Sequence, residues 1–271
     1  MIKHRLIATL LVCNGNVVQT RKFKRTNMVG SAFTAVDFFN GWTVDEIVVL
    51  EISDDLTYLE KFVSIVEELS RRCFVPLSVG GKVRDLTLVH RYTRAGADKV
   101  VVNSGAVARP GLIREIAAYY GSQCVVVSID AIADTEMPSG YRVATDNARA
   151  AQNLDAIAWA KQAAAEGAGE LLVNAVAHDG DKRGYDLALL RQITASVTVP
   201  VIAMGGVGKW EHLVEGVREG GADAVAAGNI FHYTEHSTKK AKEFMLQAGL
   251  PVRPTTFYKL NTPRRVRYAP W

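Results

Sequence analysis

Residues 76–81 read PLSVGG, and residues 200–206 read PVIAMGG. In each, a proline opens a short apolar run and a glycine pair closes it. The first is followed by Ala95-Gly96-Ala97-Asp98 and then Asn103-Ser104-Gly105; the second by Gly220-Gly221-Ala222-Asp223 and then Gly228-Asn229-Ile230. The glycine pairs and the Gly-Ala-Asp triplets keep the same offset of 125 residues. A spacing that long, kept by separate landmarks, reads as four βα units used twice. Working outward, strand-like runs fall at 5–12, 46–52, 74–79, 99–103, 124–130, 170–176, 200–204 and 224–228. Helical stretches such as 56–72, 111–120, 154–166 and 210–219 lie between them. Eight β units with intervening helices predict an α/β fold, a (βα)8 TIM barrel with an internal half-barrel repeat. The alternative is a doubly wound open sheet, which usually has fewer strands and one ligand crevice. Residues 15–31 and 132–150 break the rhythm after strands one and five. Tyr141–Thr145 is expected to be a short extra strand within the second excursion.

The barrel is expected over residues 1–251, with a tail over 252–271. That tail holds five cations (Arg253, Lys259, Arg264, Arg265, Arg267), no acid, and the aromatics Phe257, Tyr258, Tyr268 and Trp271. Of the net charge of +4, the tail accounts for all; the remainder is balanced to within one charge. Basicity therefore does not argue for a nucleic-acid partner. A second basic cluster, Arg21, Lys22, Lys24 and Arg25, is expected in a loop. No apolar run approaches the ~20 residues of a membrane span. Three widely spaced cysteines, Cys13, Cys73 and Cys124, suggest neither a disulfide framework nor a zinc site, so a cytoplasmic protein without metal or cofactor is expected. If the tail docks a partner, deleting residues 254–271 should leave the barrel folded and weaken that partner's binding; unchanged affinity for every partner would count against docking.

The apolar run Cys124–Ala131, CVVVSIDA, ends on one carboxylate, Asp130. A charge at that end of a buried strand suits a polar site, because barrel sites are built there. The matching run near the start, RLIATLLVCNG, has Leu11 where the second carboxylate would be expected. Gly80, Gly81, Asn103, Ser104 and Gly105 end strands three and four, while Gly205, Gly206, Gly228 and Asn229 end strands seven and eight. Such glycines let backbone N–H groups approach an anion, and the repeat predicts two related phosphate sites. They also simply make tight turns. Glu51 ends strand two, and the His178-Asp179-Gly180 stretch follows strand six; a lone His-Asp pair in a loop is more often a turn than a dyad. At the strand beginnings stand Arg5, Glu46, Lys99 and Glu170, four charges that could pair into a ring closing the barrel floor.

These residues resemble the cyclase subunit of imidazole glycerol phosphate synthase along about residues 3–252. The matching stretches are Ala95–Val107, Gly121–Ala131, Gly167–Glu170, Gly184–Leu187, Gly220–Ala224 and Ile230–His232. The resemblance implies a glutaminase docked on the N-terminal face, with Asp98 as a docking aspartate. Ammonia would pass a gate of Arg5, Glu46, Lys99 and Glu170 to a bisphosphate substrate, and two aspartates would act as general acid and base. Asp130 matches one aspartate, and Leu11 replaces the other. Gln19 stands for a substrate-holding lysine, Lys82 for a third glycine, and Asp181 for a threonine after Asp179-Gly180, so the phosphate positions need not all still bind. The Leu10-Leu11 variant with its basic loop looks like a side branch found with surface-polysaccharide genes, where a third protein converts an acetamido sugar to its acetamidino form. An active histidine-pathway cyclase and a non-catalytic structural partner are the competing readings.

Overall fold

The computed structural model describes residues 3–41, 43–232 and 237–255. Eight parallel strands close into a barrel: Arg5–Cys13, Glu46–Glu51, Leu77–Gly80, Lys99–Val102, Val125–Ala133, Glu170–Ala175, Val201–Met204 and Ala224–Ala227. Numbered one to eight, each pairs with its neighbours in sequence, and strand eight returns to strand one. Closure leaves no barrel edge exposed, which an open sheet would.

Alternation along each strand makes two apolar compartments. On strand one, Leu6, Ala8, Leu10 and Val12 face the helical shell, whereas Ile7 and Leu11 join the lumen. The middle of the lumen is filled by Ile7, Val48, Val101, Val126, Leu172 and Ile202, all buried. Outside, the helix Tyr58–Ser70 buries Phe62, Ile65, Val66 and Leu69, three and four residues apart, as one stripe against the strands. Each such burial contributes ~1.5–3 kcal/mol.

Three expectations change. Strand three starts at Leu77 rather than residue 74, because Pro76 has no N–H to pair and Phe74 is exposed. Strand five runs past Asp130 to Ala133, since it continues into an antiparallel hairpin, Tyr141–Thr145 with Ala150–Asp155. The basic cluster of residues 21–25 is not a loop. It is the tight turn of another hairpin, Asn16–Arg21 with Lys24–Gly30, which extends strand one. Each half-barrel thus begins with a strand that carries a hairpin.

The 252–271 segment begins on the barrel: Val252 bridges to His4, and Arg253 lies 3.0 Å from Asp45. The tail's other cations and its aromatics lie outside the described residues. Among the described residues, no helix is long and apolar enough to cross a membrane, and the three cysteines are free.

Candidate functional site

At the N-terminal mouth, Arg5, Glu46, Lys99 and Glu170 close into a ring of alternating sign. Arg5 reaches Glu46 and Glu170 at 2.7 Å each, and Lys99 reaches them at 3.0 and 2.8 Å. The Ser78 hydroxyl also donates to Glu46 at 2.6 Å. The Glu46 side chain is only 1% exposed. Each carboxylate has two cations, so burial is compensated inside the ring. Asp98, on the same face, accepts the Leu77 N–H at 2.8 Å, and its repeat mate Asp223 accepts the Val201 N–H at 2.9 Å. The repeated Gly-Ala-Asp triplets therefore position the start of the neighbouring strand; Asp98 is exposed as well.

At the other mouth lies a cavity of about 650 Å³, ordinary for a small-molecule site. The two hairpins wall it. The first folds over the strand-six loop: Asp179 accepts the Lys22 N–H at its carbonyl and the Phe23 N–H at its carboxylate, and Arg21 pairs with Asp181 at 2.8 Å. The second brings its turn to strands two and four, where Asn147 donates to the Ile52 carbonyl and the Asp146 N–H donates to Ser104.

Asp130 faces the floor of this cavity. One carboxylate oxygen accepts from the Asn103 amide at 2.8 Å, and the other lies 3.3 Å from the Ser128 hydroxyl. Burial, helped by the nearby Asp179 carboxylate, pushes its pKa up to about 7. Leu11 lines the same cavity, pairs in register with Leu50, and joins the apolar lumen. Nothing at position 11 can exchange a proton.

A carboxyl whose folded pKa lies above its unfolded value binds more protons when folded, so its contribution favours the fold at low pH and fades as pH rises through about 7. Asp130→Asn is therefore expected to stabilise the chain at pH 8 by ~2–4 kcal/mol at most, with little change at pH 4. Thermal melts at both values check this; equal effects at both would contradict it.

The two half-barrel glycine sites are not equivalent. Gly81, Asn103 and Ser104 line the large cavity, but Gly80 and Gly105 do not; a side chain at Gly80 would meet Val101, and one at Gly105 the Val83 carbonyl. The strand-seven and strand-eight group, Gly205, Gly206, Gly228 and Asn229 with Asp179 and Gly180, lines a smaller adjoining space of about 40 Å³, which shares Leu11, Thr20, Asp179 and Met204 with the large cavity. The first hairpin packs against it: Asn229 donates to the Thr20 carbonyl at 2.9 Å, and a Cβ on Gly180 would lie 2.1 Å from that same oxygen. At Gly206, φ is +97° and a Cβ would strike the Gly184 carbonyl, so tight packing alone requires glycine there. The Asp179 carboxylate accepts the Phe23 N–H, and Asp179 lines this space beside Gly180. Asp181 is held by Arg21 and Arg183, whose hydrogen bonds lower its pKa.

Glu51 lines the large cavity and accepts the Ser53 N–H, with its pKa raised by burial. His178 bonds the Gly184 carbonyl and lines neither space. The sequence reading missed Asn174, a buried residue opposite Asp130 in register, and the second hairpin's turn. Asn14-Gly15, both at positive φ, is a hairpin signal in the sequence: it turns strand one back into Asn16–Arg21.

Eight parallel strands closed into a ring, with a charged cluster at one mouth and a cavity at the other, define a (βα)8 barrel with a candidate site at each end. The family described as "Histidine biosynthesis protein" matches residues 5–237. A protein of Vibrio vulnificus (strain YJ016) named "Putative imidazole glycerol phosphate synthase subunit hisF2" is 40% identical over 253 residues, covering 93% of this chain and 92% of that one. The chain belongs to the histidine biosynthesis protein family.

Proposed function

We propose that this chain is the ammonia-conducting barrel subunit of a glutamine-dependent amidotransferase, and that it has lost the cyclase chemistry of its relatives. One observation carries the proposal: the charge ring is complete at one mouth, while at the other Asp130 faces Leu11 instead of a second carboxylate. A general acid–base pair needs two groups that exchange protons. A glutaminase would dock on the N-terminal face, around Asp98, and release ammonia at the ring of Arg5, Glu46, Lys99 and Glu170. The nitrogen would pass to a third protein that amidates a sugar, in surface-glycan biosynthesis, through acetamidino formation. The work would be cytoplasmic.

A second reading has its own observation. Asp179 lines the same cavity as Asp130 and acts on it electrostatically, so it could replace the missing carboxylate in a working cyclase. Co-purification with candidate glutaminases, followed by glutaminase assays with and without this chain, tests the first reading. Stimulated glutamine hydrolysis is expected. A chain that binds no glutaminase and stimulates none would be a structural partner only. Cyclase turnover abolished by Asp179→Asn would establish the second reading instead.

A further inference from the structure

The strand Lys24–Gly30 is the outer member of the first hairpin and stands at the rim of the large cavity, where Lys24 and Arg25 join its wall. Its inner partner is covered: Val17, Val18, Gln19 and Thr20 are buried. The outer strand is exposed from Lys24 to Val29. Adjacent strand residues point to opposite faces, so Met28 at 70% and Val29 at 40% exposure leave both faces bare. Among the described residues, its backbone pairs only with Asn16–Arg21, and its other edge meets no strand. Such an edge is a row of unpaired N–H and C=O groups able to accept a further strand.

Charge narrows what that strand can be. Residues 16–30 hold four cations, Arg21, Lys22, Lys24 and Arg25, and no acid. Arg21 pairs with Asp181, and Lys22 acts on the same carboxylate. Among the described residues, Lys24 and Arg25 meet no carboxylate; Arg25 donates to the Cys13 Sγ at 3.1 Å. A second copy of the chain would bring the same four cations to the edge, and like charges across a strand pair are destabilising. The 252–271 segment, with five cations and no acid, is mismatched for the same reason. An anionic lipid surface would satisfy the charges, but it offers no regular row of groups to pair with a backbone edge.

We propose that the Lys24–Gly30 edge docks, by strand addition, an extended acidic segment of the protein that takes up the nitrogen. Main-chain bonds supply the affinity, and Met28 and Val29 supply apolar contact on opposite faces. Lys24 and Arg25 supply the charge match at the cavity rim. Two register shifts between Val17 and Thr20 bend the ribbon, which suits one added strand and not an open-ended stack. The hairpin walls the mouth opposite the charged ring, so a partner seated on it stands where nitrogen leaves the barrel.

The proposal rests on the reading of this chain as an ammonia subunit, but its test needs only the purified full chain and a synthetic probe, a peptide of alternating glutamate and valine. Binding is titrated, and backbone hydrogen exchange is followed residue by residue. Three comparisons are run: the same peptide N-methylated at every residue, a lysine–valine counterpart, and phosphatidylglycerol vesicles. The acidic peptide is expected to slow exchange across residues 24–30. Affinity should fall about tenfold or more for the N-methylated and lysine peptides, and likewise in the double variant Lys24→Glu, Arg25→Glu. Both positions are exposed, so that variant should melt as the wild type does. No binding of the acidic peptide, no protection at 24–30, or equal binding by the N-methylated peptide overturns strand addition. Vesicle binding without peptide binding makes the hairpin a lipid contact and overturns the protein partner. Failure here with intact glutamine-driven transfer would leave the conduit reading standing.

Discussion

Lys99→Ala is expected to uncouple glutamine use from nitrogen transfer. In the complex, glutamine should still be hydrolysed, while product per glutamate formed falls roughly tenfold or more, a change of ~1.4 kcal/mol in the competition between transfer and escape. The same variant supplied with ammonium salt should be impaired far less. Free ammonia in neutral water is largely protonated and no longer a nucleophile, so an enclosed path preserves it. Lys99 holds both carboxylates of the ring, with Glu46 at 3.0 Å and Glu170 at 2.8 Å. Removing it leaves two acids on Arg5 alone. Breaking a buried pair can cost ~3–5 kcal/mol; the remaining Arg5 contacts and the Ser78 bond to Glu46 should reduce that, so the fold should survive. Equal losses from glutamine and from ammonium, with fold and complex intact, would make the ring a scaffold feature and not a gate.

The wild-type chain, given ammonium salt and the bisphosphate used by the cyclases it resembles, is expected to show cyclase turnover at least ~10²–10⁴-fold below that of an enzyme with both carboxylates, the usual cost of losing one general acid or base. Leu11→Asp alone should not restore it, for reasons the surroundings make specific. Gln19 is buried and accepts from Asn27 at 3.2 Å, so no cation reaches from that position. Lys82 occupies a left-handed conformation with φ of +60° in place of a glycine. Asp181 is paired with Arg21, and the space at strands seven and eight, narrowed by the first hairpin, is only about 40 Å³. Full recovery by this single substitution would show that the cavity still accepts a ligand with a phosphate at each end.

The barrel was legible because apolar runs, glycine pairs and Gly-Ala-Asp triplets recur at one offset, and closure follows from eight such units. The ring was legible for a simpler reason: a charge on the first lumen-facing position of a strand has only its counterparts across the lumen to meet. The walls of the cavity were not. The first hairpin turns at Lys22-Phe23, where both residues adopt positive φ without a glycine to announce it. The second turns through Asp146, Asn147 and Ala148 in the same way. These turns are held by tertiary bonds, to Asp179 in one case and to Ile52 and Ser104 in the other, which no local pattern encodes. The role of each glycine was not legible for a related reason. Whether a glycine serves a ligand or a neighbouring backbone depends on what the fold brings beside it, and at Gly105 and Gly180 that is a carbonyl oxygen. Asn174 lies inside an ordinary strand run, ELLVNA, and its place opposite Asp130 emerges only with the register.

The most direct measurement follows amide-¹⁵N glutamine in the assembled glutaminase–barrel complex with that bisphosphate present. The account predicts glutamate and ¹⁵N-ammonia in step with one another and no labelled imidazole product. Labelled imidazole product formed in step with glutamate would contradict it.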